Sequence, residues 1–441
     1  MLGCDLGTMF KVTVAGGSYQ DGLSVNLQGV PPGMMITEQQ IYEELLLRKP
    51  GQGELTSPRR EPDIPIIYSG VNAADTMPGF TNAGYTNGTP LVILIPNLDR
   101  HFEHIEQYRS TNRTPRPGHA SYASYQKYGQ WDDAIGAGFF SGRYTATLVA
   151  AGAVAKAALA EHGITVTAFV REAAGIVMPE VAPDVIRQRA AAYRQIRRDH
   201  DPIWKYVFGE GRIKPGMRFL EKTPVLAEVE SLIGKFPSVP MDEAKIRKQY
   251  GVHPSLFCPD LDTADAMVEK IIEIKKAGDS SGGVVEVIAS GVPAGLGEPV
   301  FRKLDGELGR MLSIGAIKAV EVGAGMRTKD MTGSQSNDQL YADKKHNVTF
   351  GSNNAGGITG GLTTGQDIIA RLTVKPTPTI SKDQHTIDKV TRENAELKAV
   401  TRRDPTLVAR IWPVAEAFTA MILLDHLIMH YGYQHMFDSR K

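Results

Sequence analysis

An α+β fold with antiparallel sheets is what this sequence predicts, on three observations. Residues 10–30 alternate, with Phe10, Val12 and Val14 before and Leu23, Val25 and Leu27 after the turn-like run Gly16-Gly17-Ser18-Tyr19-Gln20-Asp21-Gly22, which is a β-hairpin pattern. Further alternating strands recur with only a few helices among them, the mixture expected of antiparallel sheets. Residues 145–162 are rich in alanine, and so slim a helix packs tightly on its neighbours and belongs at the centre.

The elements follow in order. Thr37-Glu38-Gln39-Gln40 is a capping box that opens a helix carrying Ile41, Leu45 and Leu46 at helical spacing. Residues 91–96 form a short buried strand. Residues 183–206 hold Arg187, Arg189, Arg194, Arg197 and Arg198 among alanines and predict an exposed, arginine-laced helix; the whole of 172–256 reads as a surface insertion into a single domain made of 1–171 and 257–441. A helix at 262–277, a strand at 284–289, a helix near 303–312 and a strand near 317–323 come next. Residues 350–365 are almost all Gly, Asn, Thr and Ser. A strand at 368–374 runs into Lys375-Pro376-Thr377-Pro378-Thr379, and a last helix starts near Pro413. No period of 20–50 residues marks a solenoid.

Composition narrows the function. The 441 residues carry 49 Lys+Arg against 49 Asp+Glu, a formal net charge of zero, which argues against nucleic-acid and membrane-surface partners. Hydrophobic residues at 42% suffice for a sizeable core. Cys4 and Cys258 make neither a disulfide framework nor a Cys-rich metal site and fit a reducing compartment. No secretory signal is seen, and the apolar stretch 411–431 contains Glu416, Asp425, His426 and His430, so it reads as a buried or amphipathic helix. A cytoplasmic protein is expected.

The cations fall in groups: Arg48, Lys49, Arg59 and Arg60; Arg109, Arg113 and Arg116; Arg143; Arg402 and Arg403. Several abut Gly or Pro, as in Arg116-Pro117-Gly118-His119 and Arg402-Arg403-Asp404-Pro405. Rigid loops that present guanidinium suit a small polyanion, because the fork pairs bidentately with carboxylate and phosphate. The loop 352–361 can offer backbone N–H groups to a phosphate or a flavin. His426 and His430 have helical spacing but lack the H-E-x-x-H glutamate, so no metal is expected. Walker A and G-x-G-x-x-G patterns are absent from the sequence, and Gly278-Asp279-Ser280-Ser281-Gly282 lies in a turn from helix to strand, so it is no G-x-S-x-G nucleophile elbow.

Long motifs then carry a resemblance. Arg59-Arg60-Glu61-Pro62-Asp63, Arg116-Pro117-Gly118-His119-Ala120, the run 289–301, Ser352-Asn353-Asn354-Ala355-Gly356-Gly357-Ile358, Lys375-Pro376-Thr377-Pro378-Thr379, and Arg402 with Asp404-Pro405 are similar, in one order, to the chorismate synthase family, over nearly the whole chain apart from 172–256. The resemblance implies a β-α-β sandwich with a helical layer between antiparallel sheets, a homotetramer, and a lyase of the shikimate pathway. That lyase would use reduced FMN to eliminate phosphate from 5-enolpyruvylshikimate-3-phosphate in a 1,4-anti sense. It implies Lys49, Arg59, Arg116, Arg143 and Arg402 as ligands of a small anionic substrate. Ser141, Gly315, Ala316, Gly360 and Lys375, Pro376, Thr377, Pro378, Thr379 are implied as cofactor contacts. His119, Asp404 and Tyr19 stand at the catalytic positions: His119 handles a flavin proton and Asp404 relays the ring proton.

The sequence departs from the family at motif positions. Tyr19 replaces the histidine assigned to the leaving phosphate, and a phenol of unperturbed pKa about 10 is a poorer acid at neutral pH than imidazolium. Glu54 replaces an anion-binding arginine, Lys49 keeps charge but not the guanidinium fork, Phe139 and Phe140 replace a polar flavin-side pair, and Gly315 replaces an asparagine. Three readings follow from the sequence: a divergent chorismate synthase, an FMN-dependent paralogue with a different shikimate-like substrate, or a non-catalytic flavin-binding homologue.

Overall fold

The computed structural model describes residues 3–51, 53–57, 61–99, 112–236, 239, 241–399 and 404–435. Strands β1 (Asp5–Leu6), β2 (Lys11–Gly16), β3 (Gly22–Gln28), β4 (Ile66–Ser69) and β5 (Leu91–Pro96) make one antiparallel sheet in the order β1-β2-β3-β5-β4. The alternation seen in the sequence sets its register: Val14 lies opposite Val25 and Val12 opposite Leu27, and all four point into the core. Strands β6 (Thr165–Ala173), β7 (Ile176–Val177), β8 (Gly283–Ser290), β9 (Ile317–Val322) and β10 (Ile368–Val374) make a second antiparallel sheet, ordered β7-β6-β8-β10-β9.

The helices α1 (Glu38–Arg48), α2 (Ser121–Tyr128), α3 (Thr145–Ala160), α4 (Pro183–Asp199), α5 (Phe219–Leu232), α6 (Glu243–Tyr250), α7 (Leu261–Lys276) and α8 (Val408–His435) follow the patterns that encode them. At α1 the Thr37 hydroxyl accepts the Gln40 N–H, and the Gln40 side chain accepts the Thr37 N–H, so the capping box forms in full. The alanine-rich α3 is central, as expected. It packs on β3 and β5 on one side and on α8 on the other, while α8 packs on β6 and β8. At Gly152 the two helices come so close that a Cβ would sit 2.2 Å from that of Ala417. The architecture is therefore sheet, helical layer, sheet. Among the described residues one helix, Val408–Gly432, is long and apolar enough to cross a membrane, and its apolar window lies wholly inside the protein.

The arginine helix departs from the expectation of exposure. One face of α4 buries Ile186, Ala190, Tyr193, Ile196 and Arg197, with Tyr193 against Phe257 and Trp412 at ring separations of 5.1 and 6.0 Å. Arg194 donates to both carboxylate oxygens of Glu44 at 2.8 Å and also reaches Glu416, which pairs with Lys156 and accepts the Ala168 N–H. Burial raises the Glu44 carboxyl, but Arg194 and Lys156 outweigh it and bring its pKa down to about 2. Of the α4 alanines only Ala190 joins this buried face, while Ala191 is exposed.

Candidate active site

Two groups of the expected residues assemble. The first is built around Arg143, on a short 3-10 turn (Gly142–Tyr144) that feeds α3; the Ser141 hydroxyl caps this turn by accepting the Arg143 N–H. The Arg143 guanidinium is almost fully buried. Its Nε donates to Asn97 at 2.9 Å, and its Nη1 donates to Glu61 at 3.0 Å and to Asp63. Asp63 has left-handed backbone (φ 55°) and no exposure, and its second oxygen forms an ion pair with Arg48 at 3.1 Å. Burial raises the Asp63 carboxyl, yet Arg143 and Arg48 overcome it and hold it below the ordinary carboxylate range. Burial also pulls Arg48 down to about 10, against the attraction of Asp63.

Asn97 extends this group to the β2–β3 turn. Its Nδ2 donates to the carbonyls of Gly17 at 3.0 Å and Gln20 at 2.7 Å, so the turn that carries Tyr19 hangs from the same side chain that receives Arg143. The Ser141 hydroxyl also donates to that of Ser18 at 3.2 Å. On the other flank Arg410 donates to the Arg48 carbonyl and to Asp404, both at 2.9 Å, and Asp404 accepts the Ser57 N–H. Lys49 is buried beside them and pairs with Asp201 at 2.8 Å.

The second group joins two motifs far apart in sequence. Arg116-Pro117-Gly118-His119 closes a β-turn, with the His119 N–H donating to the Arg116 carbonyl at 3.1 Å and Gly118 at φ 71°. Proline second and a left-handed glycine third is the composition such a turn needs, and it sets Arg116 and His119 side by side, 3.4 Å apart. The stretch after β10, stiffened by Pro376 and Pro378, lies against it: the Lys375 ammonium donates to the Gly118 carbonyl, and Arg116 donates to Thr379 at 3.4 Å. The Lys375 N–H donates to the carbonyl of Ala316, which has φ 76°, so Gly315 and Ala316 belong to this group too. Burial first, then Arg116 and Lys375, pull His119 down to about 4, leaving a neutral ring at neutral pH. His119 Nδ1 and Thr377 Oγ1 are buried without a hydrogen-bond partner among the described residues. Two cations, the Thr377 and Thr379 hydroxyls and the orphaned His119 Nδ1 fit a phosphate-bearing ligand.

The groups are bridged by the loop before β8: the Ser281 N–H donates to the Pro405 carbonyl at 3.0 Å, and the Ser280 hydroxyl to that of Thr377 at 2.7 Å. Asp404 thus sits in the first group, not beside His119. Arg59 and Arg402 lie outside the described residues. Gly360 turns a short hairpin (Ile358–Thr359 with Leu362–Thr363) whose Gly361 backs onto Lys303, and among the described residues no hydrogen bond or ion pair ties it to either group. The 352–361 loop does not present an open cradle: the Asp338 carboxylate takes the N–H groups of Asn354 and Ala355 at 2.7 and 2.9 Å. Phe139 packs on Tyr144 and the core, while Phe140 is exposed, so the pair forms no common wall. Sequence reasoning missed Asn97, Asp201 and Arg410. A polar residue directly after the buried strand 91–96 was the one signal for Asn97; the other two gave none.

Comparison with known proteins identifies the family. The chorismate synthase family model matches residues 10–428. The chain is 40% identical to a chorismate synthase of Acetivibrio thermocellus, covering 98% of this chain and 97% of that protein, and 37% identical to one of Methanosarcina mazei, covering 97% of each. A crystal structure of a chorismate synthase superposes with a TM-score of 0.62 at 24% identity, over 99% of this chain and 98% of that one, which establishes the shared fold. At that identity and coverage, with the motifs placed as described, the chain belongs to the chorismate synthase family.

Proposed function

We propose that the protein is a carbon–oxygen lyase that converts 5-enolpyruvylshikimate-3-phosphate to chorismate and phosphate, with reduced FMN as cofactor. The observation that carries this reading is the convergence of Arg116-Pro117-Gly118-His119 with Lys375-Pro376-Thr377-Pro378-Thr379 around a buried, neutral imidazole. The family is flavin-dependent. When bound, the flavin supplies electron density to the substrate and recovers it, so the reaction is redox-neutral.

In this reading Arg116 and Lys375 hold the cofactor phosphate or the neighbouring substrate anion, and Thr377 and Thr379 complete its hydrogen bonds. Arg143, fixed along one edge by Asp63 and Glu61, orients substrate carboxylate or phosphate, with Arg59 and Arg402 as further anion ligands. Tyr19 donates its phenolic O–H to the leaving phosphate. A carboxylate oxygen of Asp404 accepts the ring proton, and His119 holds a proton at one ring nitrogen beside the cofactor. A homotetramer is part of the proposal; Val300 and Phe301, the latter 98% exposed, suit a subunit contact. Placement in the cytoplasm is supported by two free cysteines.

The test is anaerobic incubation with reduced FMN and 5-enolpyruvylshikimate-3-phosphate, reading chorismate and phosphate together. Folded protein that binds FMN and releases neither product refutes the assignment. A second reading, a paralogue whose substrate carries fewer anionic groups, is favoured by the Lys49–Asp201 pair and by Glu54, whose side chain is exposed on the loop after α1.

A further inference from the structure

The 172–256 segment reaches the first group at Asp201. Lys49, Tyr42 and Asp201 close a triangle: the Lys49 ammonium donates to Asp201 Oδ2 at 2.8 Å and to the Tyr42 oxygen at 3.1 Å, and the Tyr42 hydroxyl donates to Asp201 Oδ1 at 3.1 Å. All three side chains are buried or nearly so. Burial and then Asp201 push the Tyr42 phenol well above its ordinary pKa, so it remains a donor.

The carboxylate is held firmly. The Trp204 N–H donates to Asp201 Oδ1 at 2.6 Å, and Lys205–Gly209 continues as a π-helical turn, an irregularity that recurs at functional sites. Ile203, Val207 and Phe208 pack into a second apolar cluster with Tyr42, Leu46, Ile64 and Ile66, and the Tyr42 and Phe208 rings lie 5.2 Å apart. Lys49 belongs to the same ground as Arg143: its neighbour Arg48 donates to the Arg143 carbonyl at 3.1 Å, and Lys49 contributes to the positive field on Asp63. The charge on Lys49 is therefore already spent inside the protein.

We propose that Asp201 is a specificity-determining residue, a built-in counter-ion that lowers the amount of negative charge the substrate site accepts at Lys49. The inference rests on the chorismate-synthase reading of the site. Without the Asp201 charge, the Lys49 ammonium, still held by Tyr42, faces an incoming carboxylate or phosphate alone; without Lys49, the Asp201 charge repels it.

The experiment measures steady-state kinetics of the full chain with reduced FMN and varied 5-enolpyruvylshikimate-3-phosphate. Asp201→Asn is expected to lower KM about tenfold, with a steeper salt dependence, and to leave kcat within about twofold. Lys49→Met is expected to raise KM about tenfold, and the double variant to fall between the two. A merely structural pair would lower thermal stability in both single variants and move neither KM. Folded Asp201→Asn protein with unchanged KM overturns the proposal. If that variant does not fold, Lys49→Met and the double variant decide: an unchanged KM in both overturns it equally. Should the wild-type chain not turn this substrate over, the functional reading fails separately. The role of Asp201 is then decided by calorimetric binding of shikimate 3-phosphate, with affinity expected to follow the same order and equal affinities overturning it.

Discussion

Asp63→Asn isolates the charge that holds the first group together. Asparagine tolerates left-handed backbone about as well as aspartate, so the φ of 55° adds no new strain. What changes is that Arg48 and Arg143, almost fully buried, lose the carboxylate between them. Breaking a buried ion pair from one side costs ~3–5 kcal/mol, because the remaining charges stay desolvated. Glu61 still pairs with Arg143 at 3.0 Å, which points to the lower end of that range. For a chain of this size such a loss lowers the melting temperature by roughly 3 °C. Because Asp63 titrates below its unfolded value, its contribution is in place above about pH 4 and is lost as the pH falls through its folded value; wild type and variant should differ at pH 7 and converge only in acid. Arg143 would also lose its fixed edge, raising KM for the anionic substrate. Circular-dichroism melting across pH, with KM at neutral pH, checks both effects. A variant that melts within about 1 °C of wild type at pH 7 and keeps its KM would refute the role given to Asp63.

Other variants test the second group and the departures from the family. Nitrogen NMR of His119 should show a midpoint near pH 4 in ligand-free protein, moving up in Lys375→Ala as one repelling cation is lost; a midpoint near 6.5 in wild type would contradict the placement. Lys375→Ala should also weaken FMN binding, and unchanged affinity by fluorescence titration counts against that contact. Asp404→Asn should cut turnover about 10²-fold or more with FMN binding kept, and normal turnover in a folded variant removes Asp404 as the base. Tyr19→His should restore an acid of pKa near 6.5 and raise turnover, while Glu54→Arg should mainly lower KM; a double variant that gains nothing shifts weight to the paralogue reading.

Local rules made much of the fold readable. The β2–β3 hairpin, the capping box of α1, the strand at 91–96 and the alanine-rich α3 each follow from a period or a cap confined to a few residues. Strand β6 carries the β-branched and aromatic signal in Thr165, Val166, Thr167, Phe169 and Val170, but the consecutive Phe169 and Val170 break the alternation that marks a strand. The buried face of α4 was not legible, since arginine reads as exposed until a carboxylate on another element claims it, as Glu44 and Glu416 claim Arg194. The β-turn of Arg116-Pro117-Gly118-His119 was legible as a rigid loop presenting a cation, but its meeting with Lys375 is a product of the fold alone.

Arg48, Lys49 and Arg143 were visible in the sequence as cations, but their pairing with buried carboxylates was not, and that asymmetry has a physical consequence for the site. Among the described residues of the first group, Arg48, Lys49, Arg143 and Arg410 are matched by Asp63, Asp201, Glu61 and Asp404. Four such cations gathered without partners would repel each other by ~2 kcal/mol per pair at 7–8 Å and an effective dielectric of about 20. Matching carboxylates remove that repulsion and fix the direction of each donor before any ligand arrives. The cost falls on affinity, since an incoming polyanion meets a nearly neutral group and gains only what its geometry allows. A site of this kind discriminates by shape and by exchange of hydrogen bonds more than by net charge. Altering Asp63, Asp201 or Glu61 should therefore change which anion is preferred before it changes how fast the bond breaks.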